Sequence, residues 1–144
     1  MKHYSNGQGL HEKILKGVNT LADNVGSTLG PRGRNVILYH REEDIPVVTK
    51  DGVTVAKFVQ LEDPFENVGA QVVKQAAEKT AASAGDGTTT ATVLSRAMLT
   101  SAQKYLVAGA SPIEIKRGMD AACEWVGDAL KDKATKIKSI QDIK

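Results

Sequence analysis

Gly85-Asp86-Gly87-Thr88-Thr89-Thr90-Ala91-Thr92-Val93 is the most informative stretch of this 144-residue chain. It joins two runs of helical periodicity. Upstream, Phe65, Val68, Val72 and Ala76 recur at three and four residues and fade at Ser83-Ala84-Gly85. Downstream, Ala91, Leu94, Met98, Ala102 and Tyr105 repeat the pattern up to Gly109. Glycines on both sides of Asp86 permit a tight turn whose backbone an anion can approach closely. Thr88, Thr89 and Thr90 then fall in the first turn of the next helix, where free N–H groups and the positive end of the dipole favour phosphate. Asp86 repels a phosphate unless a hard cation such as Mg²⁺ lies between them. The same residues also make an ordinary Asp/Thr-capped helix after a glycine linker, so the pattern alone leaves both readings open.

Towards the N-terminus, Leu10, Ile14, Val18, Leu21, Val25 and Leu29 share one helical face, and the helix is expected to end at Gly30-Pro31, with Arg32-Gly33 continuing the loop. Asn35 to Tyr39 and Val47 to Thr49 read as an antiparallel pair of strands across the polar stretch His40 to Asp44. Asp51-Gly52 is expected to make a tight turn leading the small sheet on into Val53-Thr54-Val55. Towards the C-terminus, Ser111-Pro112-Ile113-Glu114 predicts a helix start with a capping box, followed by a face of Ile115, Met119, Ala122, Val126 and Ala129. Lys131 to Lys144, with five Lys against two Asp, reads as a frayed end or linker. The fold class is mostly α with a small antiparallel β-hairpin.

Composition sets the limits. Hydrophobic residues at 41% and charged residues at 25% rule out disorder throughout, and a net charge of +2 is too balanced to advertise nucleic acid or a membrane surface as the main partner. The single cysteine, Cys123, excludes an internal disulfide and a cysteine zinc cage and favours a reducing, cytoplasmic setting. Its neighbours Met119, Ala122 and Val126 predict burial as a small hydrophobe. Trp125 lies off the main stripe and marks a packing contact with chain beyond this segment. His3, His11 and His40 lack metal-ligand spacing.

Two further loops join the first candidate. Thr28-Leu29-Gly30-Pro31-Arg32-Gly33 is again a helix end opening into glycines, and Thr49-Lys50-Asp51-Gly52 is a charged turn. Each alone is an ordinary turn by composition; together they point to three loops converging on one ligand. Walker A and dinucleotide-binding spacings are absent, which disfavours a P-loop NTPase or a Rossmann enzyme.

Four ordered motifs now carry a resemblance. Thr28 to Val36 (TLGPRGRNV), Thr49 to Ala56 (TKDGVTVA), Phe65 to Ala70 (FENVGA) and Ala84 to Leu94 (AGDGTTTATVL) resemble a group I chaperonin of the GroEL type, over nearly everything from Val18 to about Leu130. The resemblance implies an ATP-driven folding machine of identical subunits in stacked rings, with the nucleotide held in a helical equatorial domain. By that resemblance Thr28, Leu29, Gly30 and Pro31 line the nucleotide, and Gly85, Asp86, Gly87, Thr88, Thr89 and Thr90 cradle its phosphates. Asp86 matches the Mg²⁺ ligand. Asp51 matches a catalytic carboxylate near the attacking water, with Lys50 beside it, and K⁺ is expected near Thr28 and Lys50.

The resemblance also implies a division of the chain. Residues 1–133 correspond to the N-terminal segment of the equatorial domain and 134–144 to the start of the linker to an intermediate domain. The second catalytic carboxylate, the apical groove for unfolded polypeptides and the contacts with a co-chaperonin lid belong to parts outside these residues. His3 to Gly9 lacks the short apolar segment with which the family often pairs neighbouring subunits. Two expectations stand: a chaperonin fragment that is inactive as an ATPase by itself, or a free-standing truncated chaperonin-like protein acting as an assembly module.

Overall fold

The computed structural model describes residues 3–40, 45–139 and 141. Its elements run α1 (Gly7–Gly26), β1 (Val36–Leu38), β2 (Val47–Thr49), α2 (Gly52–Phe58), α3 (Pro64–Ala84), α4 (Thr88–Val107) and α5 (Pro112–Lys133), the mostly helical class that the periodicity predicts. They fall into two compact units, Met1–Ser101 and Ala102–Lys144.

The first unit is built on α1 packed along α3. Two glycines allow the approach: a Cβ on Gly17 would lie 1.7 Å from the Glu66 carbonyl oxygen, and one on Gly69 would lie 2.0 Å from the Ile14 carbonyl oxygen. Around this contact Val18, Leu21, Val25, Val55, Ala56, Ala70, Val73 and Ala77 form the core with Leu38 of the hairpin. The buried face of α3 is therefore Gly69, Ala70, Val73 and Ala77, one position on from the expected stripe, and Val68 and Val72 are each 51% exposed. Close backbone approach selects the small residues, and the larger ones are turned outward.

Helix α1 ends at Gly26, a full turn before the expected Gly30-Pro31. The Val25 carbonyl, which a continuing helix would offer to Leu29, instead accepts from the Thr28 backbone at 3.1 Å and from the Thr28 hydroxyl at 2.7 Å, while Leu29 N–H turns to Gly26. Arg34 N–H to Ser27 then closes the loop, with Gly30 at φ +72° supplying the left-handed step.

The hairpin forms in the register Val36↔Thr49, Ile37↔Val48, Leu38↔Val47. Of its polar connection, residues 41–44 lie outside the described residues. The third apolar run is a helix and not a strand: Asp51 caps α2 by accepting from Thr54 N–H at 2.8 Å. The β preference of Val53 and Val55 yields because a helical turn buries Val55 and Ala56 together against the core.

Helix α3 starts and stops where its local signals predict. Asp63 Oδ1 accepts from Phe65 and Glu66 N–H, Pro64 occupies the first turn, and Gly85 at φ +73° ends the helix. Lys13–Asp63 and Lys16–Glu66 ion pairs, each at 2.6 Å, tie its start to α1. In α4 the buried residue is Thr92, and the expected stripe residues Leu94 and Met98 are half exposed.

In the second unit, α5 begins at Pro112 as expected, but the capping box does not form. Ser111 makes no side-chain capping bond, and Glu114 instead accepts from Arg117 at 2.9 Å. Nothing on α5 is buried among the described residues, so Cys123 is exposed, contrary to the expectation, along with Met119 and Val126. Trp125 is 74% exposed. No helix among the described residues is long and apolar enough to cross a membrane.

Candidate functional site

The site is assembled from three loops, all within the first unit. In the first, Thr28 is only 6% exposed although polar, and its hydroxyl is pinned by donation to the Val25 carbonyl. That same oxygen stands 3.4 Å from the Thr89 hydroxyl, 61 residues further along the chain. Leu29, Gly30 and Pro31 are exposed.

The third loop is the turn between α3 and α4. Gly85 at φ +73° and Gly87 at φ +81° both adopt backbone that favours glycine, as the sequence pattern requires. Asp86 between them is exposed, and its Oδ1 accepts from Gly87 N–H at 2.6 Å. Helix α4 starts at Thr88, so the N–H groups of Thr88, Thr89 and Thr90 belong to its first turn, where helices leave donors without intrahelical partners. The Thr92 hydroxyl is spent within α4, donating to the Thr88 carbonyl at 2.9 Å.

The second loop runs from β2 into α2. Asp51 N–H donates to the Thr49 hydroxyl at 3.0 Å, while the Asp51 carboxylate accepts from both Thr54 N–H and the Thr54 hydroxyl, the latter at 2.5 Å. These bonds from Thr54, the hydroxyl first, hold the Asp51 carboxyl below the ordinary carboxylate range. The carboxylate is accordingly ionised at neutral pH.

The three loops meet pairwise. Thr28 and Thr89 join the first to the third. Gly52 joins the second to the third, since a Cβ there would lie 2.2 Å from the Thr89 hydroxyl oxygen. Gly33 joins the first to the second: a Cβ there would lie 2.1 Å from the Thr28 carbonyl oxygen and 2.9 Å from Lys50 Cε. The three loops are thus in mutual contact, with Thr28, Lys50 and Thr89 at the contacts and Asp51 next to Gly52. Asp86, Leu29, Gly30 and Pro31 are exposed parts of the same loops.

Three residues that lie in the segments already named, but to which the sequence pattern assigns no site role, matter here: Gly33, Gly52 and Thr54. Thr54 was legible in principle, because an Asp three residues before it is a helix-start spacing. The two glycines were not, because their role depends on residues far along the chain.

Among the described residues no group of three His, Cys, Asp or Glu side chains stands ready to hold a metal ion. A cation at Asp86 would take its remaining ligands from phosphate oxygens and water, a coordination that suits Mg²⁺. The family model of the TCP-1/cpn60 chaperonin family matches residues 21–143, a span that contains all three loops.

Proposed function

The chain belongs to the TCP-1/cpn60 chaperonin family, and from that premise we propose that its first unit holds ATP as part of an ATP-dependent protein-folding chaperonin subunit. The observation that carries this reading is the meeting of the three loops at Thr28, Gly33, Lys50, Gly52 and Thr89. The loop from Thr28 to Pro31 lines the nucleotide, and Gly85 to Thr90 wrap the phosphates with backbone and hydroxyl donors. Asp86 is the carboxylate for Mg²⁺, which when bound neutralises phosphate charge. Carbonyl oxygens at Thr28 and Lys50 are the donors that would suit K⁺.

Asp51 is the catalytic carboxylate of this reading. Its carboxylate, held in place by two bonds from Thr54, acts by accepting a hydrogen bond from the attacking water and orienting it. Ring assembly from identical subunits fits the exposed apolar side chains within each unit, Leu94 and Met98 in the first and Trp125 and Leu130 in the second. A cytoplasmic setting, a lid partner and unfolded polypeptide clients belong to the same reading. The uncovered faces also fit an assembly module without ATPase activity; a coding region continuing past Lys144 would favour the ATPase subunit.

Calorimetry of ATP binding with and without Mg²⁺ tests the reading. Mg²⁺-dependent binding by the chain as its gene encodes it, lost in Asp86→Ala, is expected; binding that ignores both Mg²⁺ and Asp86 would remove Asp86 from the site.

A further inference from the structure

We propose that Gly52 is a positioning residue of the nucleotide site: lacking a side chain, it lets the Thr89 hydroxyl stand beside that of Thr28 and so sets the spacing of the three loops. The proposal rests on the nucleotide reading above and adds to it a residue that contributes no ligand atom.

Gly52 opens α2 with helical backbone and is buried. Its backbone therefore does not require glycine, and by helix propensity alanine would be the better residue there. What excludes a side chain is the neighbouring loop. A Cβ at position 52 would lie 2.2 Å from Thr89 Oγ1, 3.3 Å from Thr89 Cβ and 3.3 Å from Val25 Cγ1. The first of these is far inside van der Waals contact.

Thr89 has little room to yield. Its hydroxyl faces that of Thr28 at 3.4 Å, and Thr28 is fixed in turn by its 2.7 Å bond to the Val25 carbonyl. Val25 is wholly buried. Rotating Thr89 about χ1 would break the hydroxyl pair, and β-branching leaves few alternative rotamers. A methyl at position 52 must then displace the start of α4 or the start of α2. The first movement carries the Thr88 to Thr90 N–H groups away from phosphate, and the second carries Asp51.

The test is a double-mutant cycle in the chain as its gene encodes it: wild type, Gly52→Ala, Thr89→Ala and the double variant, each measured for Mg·ATP affinity and for melting midpoint without nucleotide. Thr89→Ala removes the oxygen at 2.2 Å, so the two substitutions should be strongly non-additive. Gly52→Ala is expected to weaken Mg·ATP binding about tenfold or more in the wild-type background and less than about twofold in the Thr89→Ala background. The midpoint should fall in the first background and hold or rise in the second.

Equal losses in the two backgrounds would show that Gly52 serves a purely local backbone need and would overturn the proposal. If Gly52→Ala alone fails to fold, recovery of folding in the double variant supports it and failure of both overturns it. If the wild type does not bind Mg·ATP, the nucleotide reading fails, while the melting midpoints still decide whether Gly52 places Thr89.

Discussion

Gly17 and Glu66 meet backbone to backbone: the space where a Gly17 side chain would begin is filled, 1.7 Å away, by the carbonyl oxygen of Glu66. Lys16, next to Gly17, reaches the Glu66 carboxylate at 2.6 Å, and this pairing raises the Lys16 pKa above its ordinary value. The reciprocal contact of Gly69 on Ile14 makes the α1 and α3 crossing dependent on two glycines.

Alanine at either glycine should therefore destabilise, although alanine is the better helix former by about 1 kcal/mol. Separating two packed helices costs more than that gain, about 1–3 kcal/mol by the scale of overpacked cores. Urea denaturation of Gly17→Ala and Gly69→Ala checks this, and midpoints at or above wild type would mean that the crossing adjusts freely.

Asp51→Asn is expected to leave the fold intact, because asparagine caps helices about as well as aspartate. Turnover should fall far more than nucleotide affinity, since a water-orienting carboxylate acts mainly in the transition state. Steady-state hydrolysis and calorimetry on a hydrolysis-competent chaperonin carrying these residues separate the two effects. The resemblance implies a second carboxylate outside these residues, and on that reading the 144-residue chain alone should show no hydrolysis above background.

Asp63 provides the pH dependence. Its bond from Lys13, with those from the Glu66 and Phe65 N–H groups, holds its carboxyl below the ordinary aspartate range. A carboxylate with a lowered folded pKa stabilises the fold above its unfolded pKa and loses that contribution as pH falls through the folded value. The stability gap between wild type and Asp63→Asn should thus be fully open at neutral pH and close below about pH 4. Urea midpoints across that range measure it; a gap independent of pH would mean that the Lys13 contact contributes nothing.

Trp125 is the single tryptophan and is largely exposed, so the chain by itself should fluoresce as a water-exposed indole. Burial of α5 against a partner should move the emission to the blue. Amide exchange in α5 should be faster than in α1 and α3, whose apolar faces are buried. Slow exchange along α5 in the isolated chain would contradict this.

Local signals sufficed wherever a structural choice is made by neighbours in the chain. Asp63-Pro64 and Gly85 bound α3, Gly87 precedes α4, Pro112 opens α5, and the β-branched runs around Ile37 and Val48 pair as expected, because caps, left-handed glycines and proline act within a turn of themselves. The four motifs were enough to point to the family for the same reason: they are contiguous. Other outcomes needed the tertiary structure. Val53 to Val55 became helix because Val55 and Ala56 found a core made by α1 and α3, and α3 turned Val68 and Val72 outward because Gly69 had to meet Ile14. Ser111 and Glu114 had the spacing of a capping box, yet Glu114 was drawn to Arg117. The meeting of Thr28, Gly52 and Thr89 was decided by packing between residues up to 61 positions apart, and no local propensity encodes such a contact.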